Sequence, residues 1–190
     1  STMSMLKKMI AVGLSSLPMM AMAHSGHAHE SSFWTGFSHP FTGLDHLMMA
    51  IAFGVLLWSA TQRWKVAGFF GLAAAMIAGF VLGQLQVLPN VFAEYGIVLS
   101  LAVVATALLM KSNRIFAVAT MVLASFHGVA HGNELGQSGH MLQLMLGMVS
   151  AMSIIYLIGL GLGAFTQKYL PQGRKIIAAL AAILAVIGLA

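Results

Sequence analysis

The sequence predicts an all-α fold, a polytopic membrane helix bundle with six transmembrane helices after an N-terminal signal peptide. Three observations lead there. Of 190 residues 59% are hydrophobic and only 7% are charged, with a mean hydropathy of +0.92, whereas a soluble domain carries roughly 25% charged residues. The apolar residues fall in runs close to bilayer length, about 20 residues each, separated by short polar, Pro or Gly clusters. Beyond the first 23 residues, Lys and Arg occur only in alternate connections, the pattern that orients membrane helices.

Residues 1–23 have the layout of a signal peptide. Lys7 and Lys8 form a basic n-region, Met9 to Leu17 an apolar core, and Ala21-Met22-Ala23 a small-x-small cleavage site. Cleavage after Ala23 leaves His24 as the new N-terminus. Residues 24–38 then form a His-containing outer segment, and His24, His27 and His29 are read as an ion-collecting site, with a free amine beside the His24 imidazole.

Residues 39–190 form the six-helix domain. Its spans are expected at Pro40 to Ala60, Val66 to Leu85, Val91 to Met110, Ile115 to Gly132, Met141 to Phe165 and Ile176 to Leu189. Pro40 suits the first position of a helix, where its missing N–H costs nothing. With His24 outside, Arg63 and Lys65, then Lys111 and Arg114, then Lys168, Arg174 and Lys175 all fall on the cytoplasmic side. The expected location is the bacterial inner membrane with a periplasmic mature N-terminus. The net charge of +5 therefore reflects topology, and the scattered basic residues give no patch for nucleic acid. A lipid bilayer is the predicted surrounding, and assembly into a homo-oligomer stays open.

Two segments carry the chemistry. His39 to His46 reads H-P-F-T-G-L-D-H, and Phe126 to Glu134 reads F-H-G-V-A-H-G-N-E. They place four imidazoles and two carboxylates within or beside membrane spans, where ionisable groups are costly and mark function. The first and fourth mature spans run in opposite directions, so His46 and His127 fall at one level. His39 lies about 10 Å from His46 along a straight helix, too far for both to bind one ion unless the helix is broken. His127 and His131 are an i, i+4 pair with Cβ atoms about 6 Å apart, a plausible bidentate half-site.

These spacings suggest an inner site of Asp45, His46 and His127, with His131 bridging to an outer position that uses His39 and Glu134. With no Cys, any metal is held by nitrogen, oxygen or Met sulfur, and imidazole with carboxylate suits late first-row divalent ions. Nickel, cobalt, zinc and copper are all chemically open. Asp45 serves equally well as a direct ligand or as the group that orients a His ring, and Glu134 equally as a ligand or as a solvated loop residue. Met141, Met145, Met148 and Met152 share one face of the fifth span; such a stripe is more often adaptable packing than a path for soft ions. A second class of reading takes His46 and His127 as axial ligands to haem between two helices. No P-loop occurs, and no nucleophile or paired-carboxylate motif points to an enzyme.

The glycines are read as packing positions. Gly79 and Gly83 form a small-xxx-small pair, Gly43, Gly128 and Gly132 allow backbones to approach beside the ligands, and Gly159, Gly161 and Gly163 smooth the fifth span. Trp58, Trp64 and Tyr169 sit where interfacial anchors are expected.

The two His segments resemble the signature segments of the HupE/UreJ family of nickel and cobalt permeases, and the likeness extends to the signal peptide, the His-led mature terminus and the six spans. The resemblance implies secondary transport of Ni(II) or Co(II), with the ion as cargo and no tightly bound cofactor. One departure is Met48-Met49-Ala50, where the family pattern has Ala before Met; it touches none of the proposed ligands.

Overall fold

The structure, a computed structural model, describes Ser4 and residues 28–110, 114–136 and 139–189. The expected signal peptide, apart from Ser4, and His24 and His27 lie outside the described residues. Eight helices follow: α1 (Ala28–Thr42), α2 (Leu44–Trp58), α3 (Gln62–Gln84), α4 (Asn90–Leu109), α5 (Arg114–Leu123), α6 (Ser125–Leu135), α7 (Met141–Tyr169) and α8 (Gly173–Leu189). There is no strand among the described residues. The chain is an all-helical, multi-pass membrane protein. Helices α3, α4 and α7, and α5 with α6 taken together over Arg114–Leu135, are each long and apolar enough to cross a bilayer.

The first expected span is corrected by the structure. Instead of one helix from Pro40 to Ala60, α1 and α2 meet at Gly43 with a bend of 77°. Pro40 lies in the last turn of α1, not at the first position of a helix. The chemistry of the break is local. Proline cannot donate to the carbonyl four residues back, the Thr42 hydroxyl donates to the His39 carbonyl at 2.8 Å, and Gly43 is extended at φ −97°, ψ 110°. The Gly43 carbonyl then accepts from Leu47 N–H at 3.0 Å, starting the next helix. Helix α1 also begins at Ala28, so the segment read as 24–38 is helical over most of its length, and His29 falls in the first turn.

Close packing is built on glycine. A side chain at Gly79 or Gly83 in α3 would strike the Ser125 or Val129 carbonyl of α6, and one at Gly128 or Gly132 would strike the Met76 or Phe80 carbonyl of α3. The two backbones are in direct contact, which in a bilayer gains van der Waals and polar contact rather than hydrophobic burial. Helix α7 receives both halves of the broken pair: Gly36 and Gly147 seat α1 on it, and Gly54, Gly159 and Gly163 seat α2. Gly161 faces open space. Between these contacts lies a core of Met49, Phe53, Leu72, Met76, Phe80, Met148, Met152 and Ile155. Met148 and Met152 are fully buried in it and Met141 and Met145 pack against its edge, so the stripe on α7 is packing.

Among the described residues, the basic side chains gather at one end of the bundle. Arg174 Nε donates to the Leu108 carbonyl at 3.2 Å and its Nη1 to Ser59 Oγ at 3.1 Å, tying the start of α8 to the ends of α4 and α2. Trp58 Nε1 donates to Gln167 Oε1 at 2.7 Å under the Lys65 ammonium, which sits 4.1 Å from its ring. The histidine segments lie toward the opposite end.

Candidate metal site

The break at Gly43 brings the two His segments together. It lets His39, at the end of α1, and His46, in the first turn of α2, approach α6 from different directions. A Cβ at Gly43 would meet His46 Cδ2 at 2.8 Å, so glycine is required for the ring to sit where it does. From α6, His127, His131 and Glu134 project toward the break.

Four imidazoles form a chain. His39 meets His131 at 4.5 Å between ring centroids, His131 meets His46 at 4.3 Å, and His46 meets His127 at 4.6 Å. Only its outer end is open; His46, third along it, is 8% exposed. The His39 side chain is 35% exposed, and the His131 and His127 residues are 1% and 0% exposed. Glu134 stands at the open end with Oε2 3.4 Å from His39 Nε2, its side chain 58% exposed.

The chain divides into two groups. Ligand atoms of His39, His131 and Glu134 all lie within 4.8 Å of one another, a spread that one ion with bonds of about 2.0–2.2 Å can draw together. At the buried end, His46 Nδ1 and His127 Nδ1 are in direct contact. His127 Nε2 lies 2.9 Å from Ser100 Oγ, and that hydroxyl donates to the Ile97 carbonyl at 2.6 Å. Asp45 stands beside His46 with Oδ1 accepting the His46 backbone N–H at 2.8 Å and lying 3.8 Å from His46 Nε2. In this conformation His127 and His131 both meet the His46 ring, and His131 also reaches His39 and Glu134.

His131 is the anomaly. Both ring nitrogens are buried with no hydrogen-bond partner, although leaving one buried polar group unsatisfied costs about 1–3 kcal/mol. A cation bound at one of them would take up that nitrogen's lone pair, the other nitrogen carrying the ring's proton. Imidazole nitrogens with one carboxylate make a donor set that would suit a late first-row divalent ion, with the carboxylate at the more exposed end.

Ser100 is a site residue that motif reading passed over. Its signal was a lone hydroxyl in the apolar stretch Ile97-Val98-Leu99-Ser100-Leu101-Ala102. Such a residue is usually satisfied by its own helix, as the bond to Ile97 shows, and nothing in the stretch announces a partner in α6.

The family described as HupE / UreJ protein matches residues 8–190. Protein HupE of Rhizobium leguminosarum bv. viciae is 30% identical over 154 residues, covering 78% of each chain. No solved structure matches. The chain belongs to the HupE/UreJ family.

Proposed function

We propose that this protein is a secondary transporter of a divalent transition-metal cation, Ni(II) or Co(II), moved along the imidazole chain between the broken first span and α6. The observation that carries the reading is the buried His131 ring with both nitrogens unpartnered, held between His39 and Glu134 on one side and His46 on the other. An ion first meets Glu134 and His39, where the carboxylate offsets its charge. It passes through His131 to His46 and His127, with Asp45 beside the inner pair. The donors are nitrogen and oxygen throughout, which suits Ni(II) and Co(II); Zn(II) and Cu(II) take similar donors and are the competing cargoes to test.

The topology belongs to the same proposal. Helices α1 and α2 form one broken span, and α8, at 17 residues, reaches about 25 Å and completes a set of six. Broken helices beside a binding site are a recurring transporter device. The basic end is placed in the cytoplasm and the Glu134 end in the periplasm, with residues 1–23 as an export signal and His24, His27 and His29 collecting ions outside. A haem between His46 and His127 is disfavoured by the contact between their Nδ1 atoms, which leaves no gap for a macrocycle.

Uptake of radioactive nickel and cobalt into cells or proteoliposomes tests the proposal. Intact protein is expected to accumulate one or both ions, and His46→Ala and His127→Ala to abolish accumulation at equal membrane abundance. Wild-type flux in both variants would refute the path.

A further inference from the structure

We infer that Ser100 is a positioning residue that fixes the tautomer of His127 and thereby makes its Nδ1, not its Nε2, the innermost metal donor. The inference rests on the ion path proposed above for its purpose, but its proton bookkeeping stands on the hydrogen bonds alone. A serine hydroxyl has one hydrogen to give and two lone pairs to offer. The Ser100 hydrogen goes to the Ile97 carbonyl at 2.6 Å, within its own helix. Toward His127 Nε2, 2.9 Å away, Ser100 therefore acts as acceptor, and Nε2 carries the proton.

A neutral imidazole has only one N–H. With that N–H spent on Ser100, His127 Nδ1 presents a bare lone pair to His46 Nδ1, the atom it touches. Two lone pairs cannot share that contact, so the proton between the rings belongs to His46. The arrangement is directional. Ser100, fully buried in α4, anchors the far side of the ring while the near side keeps its lone pair, which accepts the His46 N–H in the absence of an ion. Metal-binding histidines commonly have the second nitrogen held in this way, and removing such a partner typically weakens metal affinity by about 10–100-fold.

The test uses the full chain in lipid nanodiscs with ¹⁵N-labelled histidine, the His127 signals being identified by their loss in His127→Gln. Wild type is expected to show His127 protonated at Nε2 and bare at Nδ1, and Ser100→Ala to show a mixture of the two forms. Titration with Co(II) alone should then find Ser100→Ala binding about 10–100-fold more weakly, with Ser100→Thr, which keeps the hydroxyl, restoring most of the loss. An unchanged apo melting temperature in Ser100→Ala separates positioning from folding. A wild-type His127 protonated at Nδ1, or Ser100→Ala binding Co(II) as tightly as wild type, would overturn the inference. Should wild type bind no Co(II), the transport reading falls while the ¹⁵N spectrum still decides the tautomer.

Discussion

The two sides of the histidine chain are built by opposite means. On α6, His127 and His131 sit on a helix whose glycines press it against the backbone of α3, so their positions are fixed by contacts that tolerate no added atom. Across from them, His39, Asp45 and His46 flank a bend of 77° at a single glycine. Their positions depend on the angle between two short helices, each seated on α7. The contrast names two parts: α6 with α3 is the fixed wall, and the α1–α2 joint, whose helices glycines seat as closely on α7, sets the ligand spacing by its bend.

The largest effect should come from breaking the fixed wall. Gly132→Leu places a side chain against the Phe80 carbonyl and is expected to cost upwards of about 3 kcal/mol. Protein that fails to accumulate, or melts far below wild type in detergent, is the expected outcome; a normal melting temperature would show that α6 is not fixed as described. Next comes His131→Ala, which leaves the wall intact and removes the ring shared between the two groups. Nickel binding to purified protein should weaken by about 100-fold or more, with little loss of stability because the ring has no hydrogen bond to lose. Unaltered binding would detach His131 from the path.

Smaller effects are expected at the joint. Gly43→Ala puts a methyl group against the His46 ring and should lower uptake by displacing that ring, while the protein still folds because the joint is at the rim of the bundle. Asp45→Asn keeps an acceptor for the His46 backbone N–H and removes only the charge near Nε2, so the expected loss is about tenfold in affinity. If Asp45→Asn were as severe as His131→Ala, Asp45 would be a direct ligand and the joint would hold more of the ion than the distances imply.

Much of this contrast was legible in the sequence, and the part that was not has a physical cause. The packing glycines at Gly79, Gly83, Gly128 and Gly132 could be read because small residues four apart lie on one helix face. The shared level of His46 and His127 followed from opposite chain directions. The joint was hidden because Pro40 fits a helix start as well as a last turn, and because the upstream stretch Ser31-Ser32-Phe33-Trp34-Thr35-Gly36 shows no helical period. It is helical through its seat on α7, where Gly36 and Gly147 allow close approach, and such tertiary support leaves no local mark. Ser100 was hidden for a simpler reason: its partner lies 27 residues away on another helix.

The central claim is that imidazole nitrogen and carboxylate oxygen hold the travelling ion. X-ray absorption on purified protein loaded with one equivalent of Ni(II) tests it most directly. The expected spectrum has nitrogen and oxygen neighbours with the outer-shell scattering of imidazole rings, diminished in His131→Ala. Sulfur in the first shell would move the site to the methionines, and the absence of any bound nickel would contradict the account outright.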